Sequence, residues 1–221
     1  MIVLAIETST VIRSVAIVGE TGVRTMKSLP AGNEERDTLI SDLETVLRES
    51  EVRPAELDAI AVSIGPGMFT GLRVGLAAAK GLAFAVRKPI VPVSSLEALA
   101  ASLVAPGAVV WALLDARRGE VYGAAFRLTE GLPERLTEDR LGSVENVLAG
   151  CGGATCFIGS GADRYRDRIG GIIASGARLM ETGPFAGAVG KIGLIRMKQA
   201  PPADPASLVP VYLRPLQDAP A

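Results

Sequence analysis

Histidine is absent from the 221-residue chain. That single absence excludes a Ser-His-Asp triad, a Cys-His pair, an H-E-x-x-H zinc site and any imidazole acid or base. Aromatic residues are few, at five Phe, three Tyr and one Trp, and 23 basic side chains are balanced by 24 acidic ones. A stand-alone nucleic-acid binder needs a basic footprint and stacking platforms, and this chain has neither. The two cysteines, Cys151 and Cys156, come without companion metal ligands and read as ordinary thiols of a reducing compartment. Residues 1–10 have no basic segment, and Glu7 interrupts their short apolar run. The start therefore reads as neither signal peptide nor membrane span, and a cytoplasmic protein is expected.

What is present is core-forming material. At 48% hydrophobic and 21% charged the composition is that of an ordinary globular chain, and a chain of this length buries roughly 70% of its extended surface. Residues 2–6 form a continuous apolar run, as in a strand buried on both faces, and 14–18 and 23–28 flank a Gly19-Glu20-Thr21-Gly22 turn. A three-strand meander is expected. Leu39, Ile40, Leu43, Val46 and Leu47 recur at helical spacing within 34–50, predicting an amphipathic helix. Strand signals follow at 59–63 and 90–93, a tight loop at 65–70, and helices at 71–86 and from Ser94, where Ser94 and Glu97 have capping-box spacing.

Three strands, helix, strand, helix, strand, helix is a ribonuclease H-like order. A second start follows Pro106-Gly107, with strands expected at 108–114 and 120–128 around an Asp115–Gly119 turn. Each half then begins with a strand ending in an acid, Glu7 or Asp115, which suggests a weak internal duplication. Farther on, a helix at 143–148, a strand at 155–158 and a Pro-rich linker at 201–205 before a tail at 208–214 stand out.

Three features invite chemistry. The Gly65-Pro66-Gly67-Met68-Phe69-Thr70-Gly71 loop joins a strand to a helix, where amides can hold phosphate. However, Leu72 stands where a Walker loop needs Lys, and Thr70 where a dinucleotide fingerprint needs Gly, so a purely structural turn is favoured. Glu7 is followed by Thr8 and Ser9, with no adjacent glycine; hydroxyls bonding nearby amides are expected there. Asp115, beside Arg117 and Arg118, is expected in a local ion pair. The helix at 71–86 is apolar almost all round, with Arg73, Lys80 and Arg87 on one line and Gly71, Gly75 and Gly81 permitting close approach. Such a helix is buried on more than one side, and a partner surface is one way to bury it.

These stretches are similar to those of a known family. Leu4-Ala5-Ile6-Glu7-Thr8-Ser9-Thr10, the block IAVSIGPGMFTGLRVGLAAAK at 60–80, VSSLEAL at 93–99, DARRGEVY at 115–122 and VYLR at 211–214 resemble the TsaB (YeaZ) family of bacterial tRNA threonylcarbamoyladenosine biosynthesis. The GPGMFTGLRVG block is shared with the catalytic TsaD branch; the other blocks favour TsaB.

The resemblance implies an α/β fold of two ribonuclease H-like lobes in the actin/sugar-kinase-like superfamily, here at 1–105 and 106–221. It implies a non-catalytic subunit without cofactor that binds TsaD, works in a larger complex with the TsaE ATPase, meets tRNA only through that complex, and forms a homodimer when alone. The catalytic branch holds metal with a histidine pair on the helix matching 34–50, and none is available here. Two positions depart from the family: Glu7 replaces the common Asp, and Asn33, Glu34 or Glu35 stands where many members have His. Candidate interface residues are Ile40, Leu43, Leu47, Leu72, Gly75, Leu76 and Ala79. The alternative is a small actin-like kinase or ATPase using Glu7, Asp115 and the 65–67 loop; direct RNA binding through Arg117, Arg118, Arg164, Arg166 and Arg168 is weaker, because Asp163 and Asp167 can pair with them.

Overall fold

The computed structural model describes residues 1–30, 39–150, 153, 156–172, 177–199 and 204–214. Strands β1 (Ile2–Glu7), β2 (Ile12–Gly19) and β3 (Gly22–Pro30) pair antiparallel in the order β3-β2-β1, the meander the sequence predicts. β1 is apolar from Ile2 to Ile6 because both its faces are covered: Leu4 and Ile6 enter one cluster, Val3 and Ala5 another. Next come α1 (Leu39–Glu49), a short 3-10 turn at Pro54–Glu56, β4 (Ala59–Gly65), α2 (Phe69–Val86), β5 (Ile90–Ser94) and α3 (Ser95–Ala101). β4 and β5 continue the sheet in parallel beyond β1.

Two details differ from expectation. α2 begins at Phe69, because Pro66, Gly67 and Met68 suffice for the turn; the expected start of α1 at Glu34 lies outside the described residues. At α3 the Ser94 hydroxyl accepts the Glu97 amide at 3.4 Å, but the Glu97 carboxylate turns away to the Arg196 guanidinium at 2.6 and 2.8 Å. Half of the capping box is therefore exchanged for an ion pair.

The second sheet comprises β6 (Val109–Arg117), β7 (Glu120–Arg127), β8 (Glu134–Arg135), β9 (Arg140–Ser143), β10 (Cys156–Ile158) and β11 (Arg178–Met180), ordered β11-β10-β6-β7-β8 with β9 also on β7. β6 pairs antiparallel with β7 and parallel with β10, as β1 does with β2 and β4. The duplication suggested by the two acid-ended strands is thus a repeat of topology. The expected Asp115–Gly119 turn is shorter than predicted. β6 runs on to Arg117 through an irregularity after Asp115, and Arg117, Arg118 and Gly119 adopt positive φ to reverse the chain.

Short helices α4 (Val144–Val147), α5 (Ser160–Arg164) and α6 (Arg166–Gly170) accompany the second sheet, and α7 (Ala186–Gln199) follows. The sequence reading misses α7. It is wedged between layers, so apolar residues spread around it and blur the 3.6-residue period, while Gly187, Gly190 and Gly193 lower its helix propensity. Gly193 is needed, since a Cβ there would lie 2.7 Å from the Ala61 Cβ. A division at 105/106 separates the two sheets, yet α7 returns to pack on β1, β2 and β4 of the first. One hydrophobic cluster consequently joins both lobes, from Val3 and Ala61 through Leu96 and Val189 to Ala112 and Phe126.

Candidate functional site

The carboxyl ends of β1 and β4 meet at the start of α2. Here the glycines of the 65–71 loop serve a purpose other than phosphate binding: a Cβ at Gly67 would overlap the Ser9 carbonyl, and one at Gly71 the Thr8 carbonyl. The Met68 amide donates to the Ser9 carbonyl at 2.7 Å, and the Thr8 hydroxyl to the Gly71 carbonyl at 2.8 Å. The space a glycine opens for a ligand backbone or phosphate is occupied by the chain's own 8–9 segment. The residues present do not fit a phosphate cradle at this loop, so no nucleotide chemistry is built on it.

Glu7 lies beneath this contact and is fully buried. Its carboxylate accepts the Ser9 amide at 2.6 Å and the Ser9 hydroxyl, with Thr10 Oγ1 farther off at 3.4 Å. Burial dominates these hydrogen bonds and pushes the carboxyl up to about 7. The hydroxyls expected to bond amides instead bond the Glu7 carboxylate and the Gly71 carbonyl.

Asp115 sits across the interlobe cleft in the expected ion pair, with Arg117 at 3.6 Å, and it also faces Arg164 at 3.6 Å and accepts the Arg117 amide at 3.0 Å. Arg166 lies 3.7 Å from Asp163, whereas Arg168 pairs with Glu145 at 2.5 Å. Arg117, Arg164, Arg166 and Arg168 thus each have an acidic partner within the chain. Among the described residues no group of three acidic or cysteine side chains is placed to hold a metal ion. Cys156 is a free, buried thiol, and Cys151 lies outside the described residues.

The helical surface is the second candidate. α1 is held on the meander by buried Asp42, which meets Arg13 at 2.8 Å and Lys27 at 2.9 Å. This orientation buries Leu43 and Leu47 and leaves Ile40 55% exposed. On α2, Leu72, Gly75, Leu76, Ala79 and Ala83 face the sheet. Six of the seven candidate interface residues, Leu43, Leu47, Leu72, Gly75, Leu76 and Ala79, thus belong to the chain's own core; only Ile40 looks outward. Composition identifies an apolar helix but not which side meets the sheet. The outward side carries Val74, Ala77, Gly81 and Phe84, at spacings of three and four residues, with Phe84 89% exposed. Sequence reasoning passed over this line because α2 has hardly any polar face to mark it.

Comparison with known proteins places this geometry. The family model described as TsaD, tRNA N6-adenosine threonylcarbamoyltransferase, matches residues 31–156, more than half of the chain. The tRNA threonylcarbamoyladenosine biosynthesis protein TsaB of Bacillus subtilis (strain 168) is 33% identical over 140 residues, covering 63% of this chain and 61% of its own. The chain spans between 51% and 61% of the length of the curated TsaB relatives it matches. In three dimensions YeaZ from Pseudomonas aeruginosa superposes with a TM-score of 0.83 at 27% identity, over 96% of this chain and 99% of that one. Component A of the Acidaminococcus fermentans (R)-2-hydroxyglutaryl-CoA dehydratase shares the fold alone, with a TM-score of 0.56 at 10% identity over 90% of this chain and 98% of that one. The protein belongs to the TsaD family and, within it, to the TsaB (YeaZ) branch.

Proposed function

We propose that this chain is a non-catalytic subunit of the cytoplasmic machinery that makes threonylcarbamoyladenosine in tRNA. It docks a TsaD-type catalytic subunit on the outward face of α1 and α2 and supports transfer of the threonylcarbamoyl group from threonylcarbamoyl-adenylate to the adenosine beside the anticodon. A TsaE-type ATPase joins the same assembly, tRNA is met only through it, and the isolated chain uses the docking face to form a homodimer.

The observation that carries the reading is the exposed apolar line Val74, Ala77, Gly81 and Phe84 on α2, together with exposed Ile40 on α1, a helix in contact with α2. Ala77 and Gly81 let another helix approach closely, and burying Phe84 would supply about 1.5–3 kcal/mol. The names of the relatives support the pathway, and the self-filled glycine loop supports a binding rather than a catalytic role. Size-exclusion chromatography of the chain, alone and mixed with a TsaD-type subunit, tests it. A co-eluting complex is expected; separate elution of the two folded proteins at micromolar concentration would refute the docking.

A further inference from the structure

The carboxyl-terminal residues 208–214 touch both lobes, and the sequence assigns them no task beyond the VYLR resemblance. Leu208 is buried in the cluster formed by α1, α2 and β4. The Val211 amide donates to the Ile64 carbonyl at 2.7 Å, and the Val211 carbonyl lies only 2.5 Å from where a Gly65 Cβ would be. Tyr212 rests 5.2 Å from the Phe69 ring and accepts Arg73 Nε at 2.9 Å, while the Arg73 guanidinium stacks on Phe69 at 3.6 Å. All of these anchors are on the first lobe.

Two residues later the segment reaches the second lobe. Arg214 donates to the Ala116 carbonyl at 3.0 Å and pairs with Glu120 at 2.7 Å, and its side chain is only 12% exposed. Between these anchors residues 211–214 wall a cleft of about 310 Å³ whose other sides are the 66–70 loop, Asp115–Arg117 and Tyr122. Among the described residues the lobes are also joined by the shared core around α3 and α7 and by a hydrogen bond from Arg135 to the Ser94 hydroxyl at 3.3 Å. A further attachment at the strand ends therefore restrains rotation about that core.

We propose that residues 208–214 form an interlobe strap that fixes the angle between the lobes and keeps the cleft closed, with Arg214–Glu120 as its releasable end. The first-lobe anchors combine burial, a main-chain hydrogen bond and ring packing; the second-lobe anchor is mainly one charge-assisted pair. Loss of that pair should open the cleft without unfolding either lobe. The inference does not rest on the proposed docking role.

The test uses the full chain with Cys151→Ser and Cys156→Ala, carrying nitroxide labels at Thr70→Cys and Asp167→Cys, one exposed position on each lobe. Pulsed electron-spin distances are expected to be single and narrow with the strap intact. Arg214→Ala and, separately, the nearly isosteric Glu120→Gln are expected to shift and broaden the distribution toward longer distances, with Arg214→Lys restoring most of the narrow peak. Hydrogen exchange of the Val211 amide, on the first-lobe anchor, should change less than about twofold in Arg214→Ala. Distributions in both charge-removing variants that superimpose on the parent's, or a Val211 amide that exchanges about tenfold faster in Arg214→Ala, would overturn the strap.

Discussion

Thr8 and Gly71 are held in direct contact by a side-chain hydrogen bond and a close backbone approach. The Thr8 hydroxyl donates to the Gly71 carbonyl at 2.8 Å, while the Thr8 carbonyl fills the place of a residue-71 Cβ. Because the obstacle is main chain, it cannot step aside as a side-chain tip would. Gly71→Ala is expected to cost about 1–3 kcal/mol through overpacking, a fall in melting temperature of roughly 2–4 °C for each kcal/mol in a chain of this size. Thermal unfolding followed by circular dichroism checks it; an unchanged midpoint would show that the contact is loose.

Glu7 makes stability depend on pH in the sense opposite to a salt-bridged acid. Its carboxyl, ordinarily near 4.5, is raised to about 7 by burial, so between those values the folded chain holds a proton that the unfolded chain has released. The resulting stabilisation is complete below pH 4.5 and is lost as pH rises through 7, a swing on the order of 3 kcal/mol. Glu7→Gln, neutral throughout, should remove this slope. Urea denaturation between pH 5 and 8 reads the difference: the parent should lose stability across that window relative to the variant, and parallel curves would contradict the buried, protonatable carboxyl.

Arg196 of α7 grips Glu97 of α3 at 2.6 and 2.8 Å and also donates to the Pro92 carbonyl at 2.9 Å, with Glu97 only 7% exposed. Removing the cation strands the acid. Arg196→Ala should destabilise by about 2–3 kcal/mol, below the range for breaking a fully enclosed pair because Arg196 retains contact with solvent. Arg196→Ala with Glu97→Gln should recover part of the loss, measured as a coupling energy in a double-mutant cycle.

The fold was legible where one physical signal dominated. The apolar run at residues 2–6 announces a doubly covered strand, and Leu39, Leu43, Val46 and Leu47 announce a helix lying on a sheet. α7 was hidden for the reason that makes it central: a helix covered from several sides keeps no polar stripe, and the glycines that admit Val18 and Ala61 read as breakers. α2 was legible as an element but not as a surface. Its two sides have similar polarity, so only the sheet decides that Leu76 faces in and Val74 out. The loop at Gly65–Gly71 could be denied its standard phosphate motifs from spacing alone. What fills it, residues 8 and 9 arriving from β1, depends on tertiary packing that spacing does not encode.

The inward and outward sides of α2 should therefore respond differently to charge. Leu76→Glu places a carboxylate in the core beside β4 and should lower stability by several kcal/mol, losing partner binding only through unfolding. Phe84→Glu lies in solvent and should leave the melting temperature within about a degree or two. Circular dichroism melts of the two variants separate these outcomes; equal destabilisation would contradict the assigned faces.

Calorimetric titration of a TsaD-type subunit with the parent chain and with Phe84→Glu addresses the docking face itself. The account predicts saturable binding by the parent and at least a tenfold weaker complex for the folded variant. Equal affinity for the two would contradict it.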